Sequence, residues 1–236
     1  MFYGWGIPTD STSMMLYLVA IVIMVVSIAL QAGVTSTFNK YNKVLSRRGI
    51  TGAQAAQMVL DKNGVGNCQI VCIDGQLTDH FDPRQNVIRL SKTVYESTSV
   101  AAIGVASHEA GHATQYAKGY VPIKMRAAVL PVAQLGSGMG WVLAILGLVF
   151  SFTPILYIGI ALFSATTVFH LITLPVELNA SRRAIRAIDE TRALAPDEAV
   201  GAKKVLAMAA MTYVAALASS VVQLLRLLTM ANNRRR

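Results

Sequence analysis

Charge is what this sequence lacks over its longest stretches. No Asp, Glu, Lys or Arg lies between Asp10 and Lys40, and none between Arg126 and Glu177. Charged residues make up only 14% of the 236, and the mean hydropathy is +0.49. That balance excludes an ordinary soluble domain and directs the search to bilayer-spanning runs. Acid is scarcer than base, with 12 Asp and Glu against 21 Lys and Arg. A nucleic-acid binder shows the same excess, but here the cations flank apolar runs, so the partner they indicate is the lipid bilayer and no nucleic acid is expected. Cysteine is nearly absent. Cys68 and Cys72 sit in a strand-like stretch that would hold their Cα atoms about 13 Å apart, too far for a disulfide, so reduced thiols buried on one strand face are expected. Histidine occurs four times, which confines imidazole chemistry to His80, His108, His112 and His170.

The first apolar run, "TSMMLYLVAIVIMVVSIALQAGV", exceeds the ~20 residues needed to cross the hydrocarbon core as a helix. It has no cleavage-site signature and reads as a retained anchor over 12–34. The second run, 127–176, would reach roughly 75 Å as one helix, more than twice a bilayer, so it predicts a hairpin of two spans turning at "SFTP" (Ser151 to Pro154). A third run, Val205 to Leu225, is long enough to span but carries Thr212, Ser219, Ser220 and Gln223. Lys and Arg then set the orientation: none in 1–11 or in the SFTP turn, eleven in 35–126, six in 177–204 and the remaining four in 226–236. By the positive-inside rule 1–11 and the hairpin tip lie outside, while 35–126 and 177–204 face the cytoplasm. If Val205–Leu225 crossed, the basic tail would end outside, so within 205–236 a packed or re-entrant helix is favoured over a spanning one.

The cytoplasmic 35–126 opens with "TGAQAAQMVLDKNG", which has a threonine cap, helical apolar spacing and a terminal glycine. "CQIVCID" and "NVIRLS" follow as two predicted strands, separated by "GQLTDHFDPRQ" with its turn signals. From Lys92 the pattern is helical through "IGVASHEAGHATQYAKG". The fold class expected is therefore a mainly α membrane protein with a small β element, and a zincin-like motif helix attached to a transmembrane bundle.

That helix carries His108-Glu109-Ala110-Gly111-His112. Four residues are about one helical turn, so both imidazoles leave one face and can grip one ion, and Glu109 stands where it can take a proton from a water activated there. Gly111 costs up to ~1 kcal/mol in a helix interior, which asks for a close approach by another helix or by substrate. A catalytic zinc needs a third protein ligand. Glu177 is the first charge after the uncharged run, and two crossings return it to the membrane face of His112. A helix beginning after Pro175 would present it, with Arg182 and Arg183 turned toward lipid phosphates or toward Asp79 and Asp82. The strand Asn86, Val87, Ile88, Arg89, Leu90 and Ser91 offers an edge along which an extended substrate could pair. His80 either orders a turn or donates to substrate or oxyanion, and His170 either packs against a helix or supports the metal from its second shell.

These residues resemble a known family. "GVASHEAGH", the upstream "LTDHFDPR" and "VELNASRRA" after two spans look like the YugP-type neutral zinc metallopeptidases of bacterial membranes, related in plan to HtpX and the CAAX prenyl proteases, over nearly the whole chain. The resemblance implies one zinc per chain on His108, His112 and Glu177, with Glu109 as base. HtpX-like relatives carry an acidic residue where this chain has Ser181, which leaves Asn179 or Ser181 to offer a weaker hydrogen bond to a ligand imidazole. The expectation is a multi-pass zinc endopeptidase of a bacterial plasma membrane, acting from the cytoplasmic face on polypeptides. A metal transporter fits less well, since the uncharged residues before His108 are too few to cross and the spans hold only His170. A non-catalytic zinc scaffold would leave Glu109 without a task. "GSGMG" (Gly136 to Gly140) offers small residues for close helix packing and leaves an oligomer or membrane-protein partner open.

Overall fold

The computed structural model describes residues 11–75 and 78–233. The outermost part of the expected external segment, residues 1–10, and the arginines 234–236 lie outside the described residues. The chain is mainly helical, with eight α-helices, one π-helical turn and a three-stranded sheet among the described residues. It divides into two units.

One unit comprises 30–124 and 175–212. After the long helix α1 (Ser11–Asn42), helix α2 (Gly52–Lys62) starts at Thr51, whose hydroxyl accepts the Gln54 N–H while the Gln54 side chain accepts the Thr51 N–H, a reciprocal capping box. Strands β1 (Gln69–Ile73), β2 (His80–Asp82) and β3 (Val87–Ser91) form a sheet of order β1-β3-β2, parallel between β1 and β3 and antiparallel between β2 and β3. Two strands were legible in the sequence and β2 was not, because it is three residues long and immediately precedes Pro83. The thiols differ from expectation as well: Cys68 is buried ahead of β1, whereas Cys72 is exposed.

The sheet leads through the one-turn α3 (Lys92–Tyr95) to α4 (Val100–Ala117), capped by Ser99 Oγ accepting the Ala102 N–H at 3.1 Å. Helix α4 is buried on nearly every side. Its Ala106 and Ala110 join Val59, Leu60, Ile88, Leu90 and Val94 in one core, and its Ile103 joins Ile188, Leu194 and Ala202 in a second. Small residues let the neighbours come this close. A Cβ on Gly111 would lie 2.7 Å from the Ala180 carbonyl oxygen, which answers why a costly glycine stands inside the motif.

The other unit comprises, among the described residues, 11–29, 125–174 and 213–233. It is built from α1, α5 (Val121–Leu135), the π turn Gly136–Gly140, α6 (Trp141–Val149), α7 (Thr153–Thr191) and α8 (Pro196–Asn233). Its core joins Ala144, Leu156, Ile160, Phe163, Leu227 and Ala231. Two of the three glycines of the π turn are used inside the chain: Gly136 lies against the Leu162 carbonyl and Gly140 against the backbone of Gly159 and Phe163. Helix α7 runs without a break through Pro175 and does not begin after it. Among the described residues, four helices are long and apolar enough to cross a membrane: α1, the 121–149 segment, α7 and α8.

Candidate metal centre

Helices α4 and α7 bring the candidate ligands together within the first of these units. The His108 and His112 rings lie 4.7 Å apart between centroids, with planes at 84°. From α7, buried Glu177 places Oε2 at 3.2 Å from His108 Nε2 and 3.4 Å from His112 Nε2. One ligand atom from each of the three lies within 4.8 Å of the others, a grouping that can hold a metal ion. The His108 side chain remains 15% exposed, which leaves the cluster an approach from solvent.

The hydrogen bonds behind the rings decide which nitrogens face the cluster. Gln115 Nε2 donates to the Val176 carbonyl at 2.8 Å and to Asn179 Oδ1 at 3.0 Å. Both amide hydrogens are thereby spent, so Gln115 Oε1, 3.0 Å from His112 Nδ1, accepts, and Nδ1 carries the proton. The remaining nitrogen, Nε2, then presents its lone pair to Glu177. Arg183 Nε donates to Asn179 Oδ1 at 2.8 Å and holds this relay in place. Ser181 Oγ stands 3.1 Å from His108 Nδ1, a hydroxyl that can either accept from that nitrogen or donate to it. The His112 Nε2 lone pair and the carboxylate oxygen it faces repel unless a cation sits between them. Two nitrogens, one carboxylate and an open approach are also the donor set of catalytic zinc sites.

Glu109 is buried, and its Oε2 accepts the Phe81 N–H at 2.9 Å. Burial pushes its carboxyl up to about 7; the negative charges of Glu177 and Asp79 add to the rise, while His108 and the Phe81 N–H oppose it. A divalent cation beside it opposes the rise in the same way. Asp79 accepts from Ser91 N at 2.8 Å and from Ser91 Oγ, tying the start of β2 to the end of β3. Burial raises the Asp79 pKa, and the hydrogen bonds from Ser91 oppose that.

Other expected residues stand elsewhere. Exposed His80 hydrogen-bonds through Nδ1 to the Thr78 carbonyl at 2.7 Å, a contact within its own turn. His170 belongs to the other unit, where its ring meets Phe169 edge-on at 5.7 Å. The strand Asn86, Val87, Ile88, Arg89, Leu90 and Ser91 has no open edge: β3 is the middle strand, with β1 on one side and β2 on the other, so it cannot take a substrate strand. The unpaired edge near Glu109 belongs to β2. Asp82 pairs with Arg89 at 2.7 Å rather than with an arginine of α7. Two participants escaped the sequence reading. Gln115 shares the face of His112 three residues on, a spacing that could have pointed to it, whereas the Phe81 N–H is backbone and leaves no side-chain signal.

Fold and site together define a class, a helical protein with four membrane-length apolar helices and a His/His/Glu centre. A family profile described as "Putative neutral zinc metallopeptidase" matches residues 16–232, and the chain belongs to that family. It is also 44% identical over 196 residues, 83% of this chain and 87% of the relative, to a Bacillus subtilis (strain 168) protein named "Putative membrane protease YugP". No solved structure matches the chain.

Proposed function

We propose that the chain is an integral membrane zinc endopeptidase of a bacterial plasma membrane, cleaving membrane-associated or cytoplasm-facing polypeptides. The observation that carries this reading is the convergence of His108, His112 and Glu177 within 4.8 Å, with Glu109 on the same helix. In this reading the three side chains hold one zinc per chain. The bound ion supplies Lewis acidity, polarising a peptide carbonyl and making water easier to deprotonate. Glu109 accepts the proton of the attacking water and passes it to the leaving amine. Gln115 and Ser181 fix the imidazoles so that no reorientation accompanies turnover.

Substrate enters along β2 in this account. Phe81 directs its N–H away from β3 toward Glu109, and the carbonyl of the same residue faces the same open side. An extended peptide passing that edge would lie beside the base and donate to the Phe81 carbonyl, since the Phe81 N–H is held by Glu109. The excess of Lys and Arg in 35–126 and 177–204 supports a cytoplasmic site. Packing within the membrane-type unit supports a fourth crossing: Leu227 and Ala231 of α8 pack with Leu156 and Ile160 near the start of α7, and Asn233 Nδ2 reaches Ser13 Oγ at 3.4 Å.

Replacing Glu109 with Gln tests the assignment. The variant should keep its zinc and its fold, because the amide is isosteric, and lose about 100-fold or more of its peptide cleavage, because an amide takes no proton. Cleavage at the wild-type rate would remove Glu109 from the mechanism.

A further inference from the structure

The unit made of 11–29, 125–174 and 213–233 holds a cavity of about 800 Å³ lined by α1, the π turn, α6, α7 and α8. Its size falls within the ~300–1,000 Å³ of small-molecule sites. One end is polar. Arg226 donates through Nη1 to Gln223 Oε1 at 2.7 Å, and its guanidinium carbon lies 5.2 Å from the centre of the Tyr17 ring. Because Gln223 accepts through its carbonyl oxygen, its amide N–H groups remain to be donated. Away from this end the lining mixes Ile21, Met24 and Phe163 with Ser137, Thr166 and His170.

Charge decides what the cavity is for. Among the described residues of this unit there is no Asp or Glu, so the half-buried Arg226 cation has no carboxylate there to neutralise it. A cation within a membrane-length helix is costly unless it meets a counter-charge, and such residues mark sites of binding. Its depth fits a headgroup. Arg226 stands seven residues before Asn233, the last of α8, and Tyr17 six residues after Ser11, the first of α1, each about 10 Å in from a helix end. From Tyr17 to Met24 the wall continues about 10 Å further along α1. Basic pockets between membrane helices take anionic lipid headgroups, and the tyrosine is of the type that settles at that level.

We infer that this cavity binds an anionic glycerophospholipid, with the phosphate on Arg226 and the Gln223 amide and an acyl chain along Ile21, Met24 and Phe163. The site lies outside the proposed peptidase centre and does not depend on it.

Binding is measured on the full chain in neutral detergent, by native mass spectrometry and by thermal melting. Phosphatidylglycerol, phosphatidylcholine of the same chains and inorganic phosphate are added separately. Phosphatidylglycerol should be retained and raise Tm; the other two should do neither. Arg226→Gln should weaken phosphatidylglycerol binding about tenfold or more, as expected for loss of a charge-assisted contact, and Arg226→Lys should keep most of it. Ser219→Trp, which narrows the cavity about two helical turns from Arg226, should also reduce retention. An unchanged far-ultraviolet circular dichroism spectrum in each variant reports an intact fold. Equal stabilisation by phosphatidylcholine, a full effect from phosphate alone, or undiminished phosphatidylglycerol binding in both Arg226→Gln and Ser219→Trp would overturn the inference.

Discussion

Gln115 and Ser181 touch the centre only through the far nitrogens of its imidazoles, at 3.0 and 3.1 Å, so their removal should cost metal affinity; Gln115→Ala should also lower Tm, because its buried amide ties α4 to Val176 and Asn179 of α7. Partners of this kind are worth about 10–100-fold in metal affinity. Gln115→Ala should fall within that range in competition with a chelator, and Ser181→Ala should also weaken binding, by less, since its hydroxyl belongs to no longer relay. Unchanged affinity in both would show that the rings need no support. The pairing of the motif histidines was legible because a spacing of four puts both rings on one helix face. Glu177 was legible because it ends an uncharged run. Gln115 was not, since a glutamine on a helix face looks like any other until Val176 and Asn179 consume its amide hydrogens.

Among the elements, the contact of α4 with α7 at Gly111 sets the third ligand. Alanine there gains up to ~1 kcal/mol of helix propensity but sets a methyl carbon 2.7 Å from the Ala180 carbonyl oxygen, backbone that cannot rotate away. Overpacking of this kind costs about 1–3 kcal/mol, so the clash outweighs the gain. Gly111→Ala should lower Tm and weaken zinc together, because moving α7 moves Glu177; a variant more stable than wild type with unchanged zinc would contradict the packing. The sheet shows how far pattern goes. β1 and β3 alternate and are rich in β-branched residues, whereas β2 is fixed by Asp79 holding Ser91 and by pairing with β3, long-range contacts that no local pattern encodes.

For the molecule as a whole, the charge pattern and the packing of α8 disagree about where the chain ends. The apolar runs of α1, α5–α6 and α7 were legible by length. The last was obscured by Ser219, Ser220 and Gln223, which in the structure line the cavity. Cysteine at Thr153 should be labelled by an impermeant reagent on intact cells, and cysteine at Asn63 only after lysis. Cysteine at Asn233 should behave like Thr153 if α8 crosses. The reverse pattern at Thr153 and Asn63 would move the proposed active site outside, and protection of Asn233 on intact cells would return α8 to a re-entrant helix.

Zinc content of the purified chain bears most directly on the central claim. Wild type and Glu109→Gln should each hold one zinc per chain. His108→Ala and His112→Ala should hold none, and Glu177→Ala should hold far less than one, while all three keep the helical content of wild type. Undiminished zinc in His108→Ala, His112→Ala and Glu177→Ala would contradict the account.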